Sequence, residues 1–89
     1  MIILLGDDME LKEVSELLGD LANDNGIPKN IRRALSEAKT RIDSDEENNV
    51  KISAAIYIIE GITEDINMPA HARTQIWAVI SALESQNER

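Results

Sequence analysis

The sequence predicts an all-α protein, an antiparallel four-helix bundle built from two similar helical hairpins. Two observations predict this fold. Apolar residues recur at helical spacing along nearly the whole chain, and the second half repeats the apolar and proline pattern of the first after about 41 residues. A chain of 89 residues is expected to form a single domain, 1–89. Its predicted parts are hairpin one at about 8–43, an acidic connector at about 43–49 and hairpin two at about 49–87.

The first helix is predicted from an apolar stripe that runs from Leu11 to Leu21. Asp7, followed three residues later by Glu10, fits a capping box at its start. The sequence Asn23-Asp-Asn-Gly26 contains residues that break helices, and its glycine suits a left-handed cap. We therefore expect the first helix to end there.

The second and third helices are predicted on either side of the acidic connector. Pro28 suits the first position of the second helix, since that position forms no N–H hydrogen bond within the helix. The apolar stripe of this helix runs from Ile31 to Ile42. Ser44 with Glu47, or alternatively Asn49, is expected to cap the third helix, whose apolar residues run from Ile52 to Ile66.

The fourth helix is predicted to begin at Pro69, and its sequence completes the repeat. Three positions recur in both halves with the spacing Asp-x-x-x-Pro-x-x-x-Arg. They are Asp24, Pro28 and Arg32 in the first half and Asp65, Pro69 and Arg73 in the second. A short antiparallel connection brings the aspartate towards the arginine, so we predict two equivalent clasps that fix the hairpin angles, rather than ligand clamps. The repeat is close to HEAT repeats in length, and two units are expected to close on each other as a bundle.

A family resemblance rests mainly on the segment Asp65-Ile-Asn-Met-Pro-Ala-His-Ala-Arg-Thr-Gln-Ile-Trp77. Together with Ile27-Pro-Lys-Asn-Ile-Arg32 and the Ala55–Ile59 run, it resembles the uncharacterised archaeal protein family 0147. The resemblance covers roughly residues 11–84. It implies an archaeal source and a small four-helix protein without an assigned activity, and it transfers no functional residue to this chain.

Composition and charge exclude several classes of function. The chain has no cysteine and therefore no disulfide or thiolate site, and its two aromatic residues are too few for a platform that stacks nucleic-acid bases. A net charge of −8 argues against binding to phosphate backbones. No apolar run reaches the length of a membrane span, so we expect a cytoplasmic protein without a membrane partner.

We expect neither a cofactor nor a metal ion. Asp43, Asp45 and Glu47 have the alternating spacing of an EF-hand loop, but Asn48 stands where glycine is needed and Ala54 where the bidentate glutamate belongs. The connector is therefore interpreted as a solvated acidic loop.

Two alternatives give the chain a more specific activity. In the first, the basic second helix binds nucleic acid through Lys29, Arg32, Arg33 and Lys39. In the more distant one, the chain is an unrecognised enzyme centred on His71, its only histidine, which would need a hydrogen-bond partner and a cleft.

The third and fourth helices carry more apolar residues than one core stripe requires. The candidate interaction surface consists of Tyr57, Ile58, Trp77 and Ile80. Either this hairpin is the more central one and Trp77 fills the core, or the excess binds an unknown protein or a second copy of the chain. The leading functional hypothesis is therefore a non-enzymatic module for protein interaction or structure.

Overall fold

The computed structural model describes residues 9–87, which form four α-helices and no strand. These are α1 (Leu11–Ala22), α2 (Lys29–Ile42), α3 (Asn48–Glu60) and α4 (Ala70–Asn87). The predicted all-α fold of four helices is confirmed. Each helix packs against the next along the chain, and α4 returns to pack against α1.

The start of α1 and the end of α4 meet at one edge of the molecule. The Gln86 side-chain amide donates a hydrogen bond from Nε2 to the Met9 backbone carbonyl at 2.9 Å. The Cα radius of gyration is 12.2 Å, which is the value of about 12 Å expected of a compact chain of this length.

Aliphatic side chains from all four helices build one continuous core. The chain has no phenylalanine, so branched aliphatic residues and alanine fill the space. The largest fully buried side chains are Val14, Leu18, Ile27, Ile31, Leu35, Ile52, Ile59, Ile76, Val79 and Leu83. Ile27 lies in the loop before α2, and the others belong to the apolar stripes that the sequence predicts, so burial of these stripes positions the helices.

Within the described residues, α1 is capped three residues later than predicted. Asp7, the predicted cap, lies outside the described residues. Glu10 instead precedes the helix, and its backbone N–H donates to the Glu13 side chain at 2.9 Å, as in a capping box. At the other end the cap residue is Asn23, with φ −98°, and Gly26 does not adopt the left-handed conformation that the sequence suggested.

The two prolines lie one position before the helices that they precede. Pro28 is the cap residue of α2, with φ −55° and ψ 149°, and its carbonyl accepts the first backbone hydrogen bonds of the helix. The Pro69 carbonyl does the same for α4. A proline fits here because its φ is fixed near the required value and the cap N–H has no partner within the helix.

Helix α3 ends earlier than the predicted apolar stripe. After Glu60 the backbone changes to hydrogen bonds three residues apart, from Ile62 N–H to the Ile59 carbonyl and from Asp65 N–H to the Ile62 carbonyl. These tighter turns keep Ile62 in the core but rotate Ile66 outward, where 91% of its surface is exposed. The predicted extension of the helix to Ile66 is therefore wrong.

The helix caps before α3 also differ from the two alternatives predicted. Glu47 is the cap residue, while the Ser44 hydroxyl donates to the Arg41 carbonyl at the end of α2. No helix among residues 9–87 combines the length and apolar character needed to cross a bilayer.

Candidate functional site

The loops that join α1 to α2 and α3 to α4 share two hydrogen bonds around an aspartate. In each loop an aspartate carboxylate accepts from the backbone N–H two residues later, Asp24 from Gly26 and Asp65 from Asn67, both at 2.8 Å. The backbone carbonyl of the same aspartate accepts from the N–H three residues later, at 3.0 and 3.1 Å. These turns bring each chain segment to its proline with the same geometry.

The arginine of each predicted clasp reaches back to its own loop, but it contacts backbone carbonyls. Arg32 donates from Nε to the Ile27 carbonyl at 2.9 Å. Arg73 donates from Nη1 to the Thr63 carbonyl at 2.7 Å and from Nη2 to the Asp65 carbonyl at 3.1 Å. Each guanidinium therefore donates to loop carbonyls, one of which, that of Asp65, also accepts from the Met68 N–H, while the carboxylates accept from backbone N–H groups.

The start of α2 and the start of α4 each contact the loop of the other hairpin through a reciprocal pair of hydrogen bonds, which we name the loop junction. His71 Nε2, at the start of α4, lies 2.7 Å from Asp24 Oδ2 in the first loop. Asn30 Nδ2, at the start of α2, donates to Asp65 Oδ2 in the second loop at 3.2 Å. Asn30 and His71 occupy the same position of the repeat, so each hairpin contacts the aspartate of the other in an equivalent way.

Sequence reasoning missed the loop junction, although the sequence carries a signal for it. The offset of about 41 residues that aligns the two prolines also aligns Asn30 with His71. Both side chains can donate a hydrogen bond to a carboxylate, and this shared property marks the position.

The electrostatics of the junction favour an ionised Asp24. The hydrogen bond from His71, followed by that from the Gly26 N–H, lowers the pKa of Asp24 below its ordinary value of 3.8. The partner that an enzyme centred on His71 would need is therefore present. However, 53% of the His71 side chain and 35% of the Asp24 side chain are exposed, so solvent reaches both groups. Among the described residues, no group of three or more potential ligands is arranged to hold a metal ion.

Two of the four basic residues of the nucleic-acid hypothesis are engaged within the protein. Lys39 Nζ contacts Ser15 Oγ and Asp43 Oδ2, each at 2.9 Å. Arg32 donates to its loop as described above. Lys29 and Arg33 are exposed, and they leave a smaller basic patch than the sequence suggested.

The candidate interaction surface separates into exposed and buried members. Tyr57 has 81% of its surface exposed and Trp77 has 53%, while Ile58 is half-buried. Ile80 has only 4% exposed and belongs to the core, because it follows the buried face of α4. Val50, which the sequence did not single out, is 43% exposed on α3.

Two open grooves border the Tyr57 side chain. One, of about 400 Å³, lies between α3 and the end of α4 and includes Ser53, Glu60 and Glu84. The other, of about 510 Å³, lies between α2 and the end of α3 and includes Ala34 and Glu37. Tyr57 therefore stands on a ridge between two depressions.

The chain is thus a small all-α protein in which the two hairpins contact each other at their loops and an aromatic residue is exposed on α3. The chain belongs to the uncharacterised protein family UPF0147, whose family model matches residues 4–86. The resemblance found in the sequence is thereby confirmed.

Archaeal relatives support the same assignment. A UPF0147 protein of Methanothermobacter thermautotrophicus is 43% identical over 84% of this chain and 74% of its own length. One from Sulfurisphaera tokodaii is 38% identical over 96% of this chain and 97% of its own length. The crystal structure of the unknown-function protein MMP1188 is similar to the fold, with a TM-score of 0.81 and 38% identity over 94% of this chain and 97% of that one.

Proposed function

We propose that this chain is a non-enzymatic helical module that binds another protein through one face of α3 and α4. The docking face consists of Val50, Tyr57, Ile58 and Trp77. The observation that carries the proposal is the 81% exposure of Tyr57 above a closed core, in which Ile59 is fully buried. A tyrosine offers a large rigid ring with a polar edge, and such residues dominate the energetics of protein interfaces.

Helical spacing supports a continuous docking face. Val50 and Tyr57 are seven residues apart on α3 and therefore share one side of that helix. Trp77 and Glu84 are likewise seven residues apart on α4. Glu84 borders the groove beside Tyr57, and Trp77 is on the same side of α4 as Glu84, two helical turns closer to the start of that helix.

The proposed module is a single domain, an antiparallel bundle of two HEAT-like hairpins related by duplication. Two contacts support opposite directions for α1 and α4: Met9 with Gln86 at one end and Asp24 with His71 at the other. Equivalent hydrogen bonds in the two loops support the duplication. In this architecture the residues of the two clasps, Asp24, Pro28, Arg32, Asp65, Pro69 and Arg73, have a structural role.

Site-specific photo-crosslinking tests the proposal. A photoreactive amino acid in place of Ser53, which borders the groove beside Tyr57, is introduced into cells that naturally contain the protein. We expect a crosslinked product that disappears when Tyr57→Ala is added. The same amino acid at Asp20 is the control, since α1 does not contact α3. A product that is insensitive to Tyr57→Ala, a product shared with the control, or no product would overturn the proposal.

A further inference from the structure

We propose that the docking face binds a cationic amphipathic segment of another protein, with an apolar side chain in a groove beside Tyr57 and arginine or lysine residues on the surrounding carboxylates. This inference rests on the proposed function and specifies the chemistry of its partner. The observation that supports this inference most directly is the negative charge of the residues that line the grooves beside Tyr57.

Carboxylates border both grooves beside Tyr57. Glu60 lies between them, Glu84 borders the groove towards α4, and Glu37 borders the groove towards α2. No lysine or arginine from residues 9–87 is found among the residues that line either groove. All three glutamates are exposed, so their carboxylates are accessible to a cationic partner.

A third depression on the same molecule provides an internal comparison. The cleft between α1 and α2, of about 260 Å³, contains Lys12 and Lys39 as well as Glu16 and Asp43. Its charges are balanced, and Lys39 already binds Asp43 at 2.9 Å. Among residues 9–87, the grooves beside Tyr57 are therefore lined by carboxylates and by no cation, whereas the α1–α2 cleft contains both signs of charge.

The aliphatic surface beside Tyr57 favours a partner that supplies an apolar side chain as well as positive charge. The groove towards α2 includes Ala34, Ile58 and Ile62, which provide an aliphatic surface next to the tyrosine ring. A leucine or methionine side chain would remove this surface from water. A neighbouring arginine of the partner would stack on the ring of Tyr57, since guanidinium groups favour aromatic faces.

The glutamates around Tyr57 argue against two other occupants of this face, a second copy of the chain and a nucleic acid. A second copy of the chain also carries a net charge of −8. A two-fold interface centred on Tyr57 would bring two sets of these glutamates together, and like charges across an interface are unfavourable. Nucleic acid would meet the same repulsion from its phosphates.

The test measures the binding of a labelled amphipathic peptide of about 18 residues, with leucine on one face and arginine on the other, by fluorescence anisotropy. We expect the arginine peptide to bind about tenfold more tightly than the same peptide with glutamine in place of arginine. Binding should weaken as salt rises from about 50 to about 300 mM. Tyr57→Ala should weaken binding by about tenfold as well.

Two double variants, each removing two negative charges, test whether the charge dependence of peptide binding comes from the glutamates beside Tyr57. Glu37→Gln with Glu60→Gln should weaken binding of the arginine peptide about fivefold and flatten its salt dependence. Glu16→Gln with Asp20→Asn changes the net charge equally on α1 and should change the affinity less than twofold. Thermal melts followed by circular dichroism confirm that each variant is folded. Equal effects of the two double variants would overturn the inference.

The remaining outcomes distinguish the partner's charge from the proposed function. If the glutamine peptide binds as tightly and still depends on Tyr57, docking stands and the cationic partner is wrong. If spermine binds this face as tightly as the arginine peptide, charge alone is responsible and a peptide occupant is wrong. If sedimentation shows a dimer that Tyr57→Ala dissociates, the occupant is a second copy. If no peptide binding depends on Tyr57 but the crosslink at Ser53 does, only the peptide chemistry fails.

Discussion

At the residue scale, Arg32 and Arg73 have equivalent positions in the two halves of the sequence but contact different backbone partners. Arg32 makes one hydrogen bond to a carbonyl, whereas Arg73 makes two. The loop before Arg73 is also the longer one, because α3 ends at Glu60 and α4 begins at Ala70. A longer loop leaves more carbonyls without helical partners, and the planar guanidinium is suited to serve two of them.

Replacing Arg73 should therefore cost more than replacing Arg32. Arg73→Ala leaves two part-buried carbonyls without their charged donor, so we expect a loss of about 1.5–3 kcal/mol and a fall in Tm on the order of 10 °C. Arg32→Ala should lower Tm by about half as much. Arg73→Lys keeps the charge but not the forked donors and should recover only part of the loss. Calorimetry measures all three, and equal effects of Arg32→Ala and Arg73→Ala would contradict this account.

The sequence predicts equivalent positions for Arg32 and Arg73, but it does not give their hydrogen-bond partners. The spacing around Pro28 and Pro69 identifies Arg32 and Arg73 as equivalent. It does not distinguish a carboxylate from a carbonyl as acceptor, because both lie in the same short loop. The choice depends on which groups the loop's own N–H donors have already engaged, and only the folded backbone decides that.

The exposure of Tyr57 leads to a second prediction at this scale. Tyr57→Ala should change the free energy of unfolding by less than about 0.5 kcal/mol, because the side chain is largely in water. Ile59→Ala, two residues away and fully buried, should cost about 2–5 kcal/mol. Urea denaturation measures both values. A loss for Tyr57→Ala comparable to that of Ile59→Ala would place the tyrosine in the core.

At the element scale, a small polar network joins α1 to α2. The Ser15 hydroxyl, which is buried, donates to Asp43 Oδ1 at 2.6 Å and accepts from Lys39 Nζ at 2.9 Å. The hydrogen bond from Ser15, followed by that from Lys39, lowers the pKa of Asp43 below its ordinary value of 3.8. The network thus connects the end of α2 to the middle of α1.

Protonation of Asp43 should weaken this connection in acid. Because the pKa of Asp43 is lower in the folded state, its stabilising effect is present above its ordinary value of 3.8 and is lost as pH falls through the lowered value. Asp43→Asn should therefore reduce the dependence of unfolding free energy on pH between about 5 and 2. Asp45→Asn, an exposed change in the same connector, is the control. Identical pH slopes for the two variants would contradict the role of the network.

The loop junction predicts a tolerated exchange between the repeats. His71→Asn places at the start of α4 the residue found at the equivalent position of α2, and it can still donate to Asp24. We expect its Tm to remain close to that of the parent chain, whereas His71→Leu should lower Tm because Leu cannot donate. Thermal melts at neutral pH measure both. Equal Tm values for the two variants would show that the junction contributes no stability.

The helices themselves were largely predictable, since apolar periodicity and the two prolines define where they lie. The end of α3 was not predictable in the same way. Ile62 and Ile66 continue the helical spacing in the sequence. However, the backbone changes to tighter turns after Glu60, so that Ile62 is buried and Ile66 is exposed. A periodic pattern indicates a helix but does not indicate where the hydrogen-bond spacing changes.

At the scale of the whole molecule, the proposed docking face uses side chains other than those that build the core. The aliphatic core and the equivalent loops hold the four helices together, while Tyr57 and the carboxylates around it contribute little to that packing. The sequence predicted an excess of apolar residues on α3 and α4. It did not predict which of them are buried and which are exposed. Ile80 is in the core and Tyr57 in water, because only the rotation of each helix in the fold decides which positions face inward.

The most direct test of this separation is an amide-resolved NMR titration of the protein with the arginine peptide. We expect the chemical-shift changes to concentrate on α3 around Tyr57, on the helical turn of α2 that contains Glu37 and on the helical turn of α4 that contains Glu84. The shifts of α1 should not change. In Tyr57→Ala the dispersed spectrum of the folded protein should persist while these changes disappear. Shift changes spread evenly over all acidic residues, or a collapsed spectrum for Tyr57→Ala, would contradict the account.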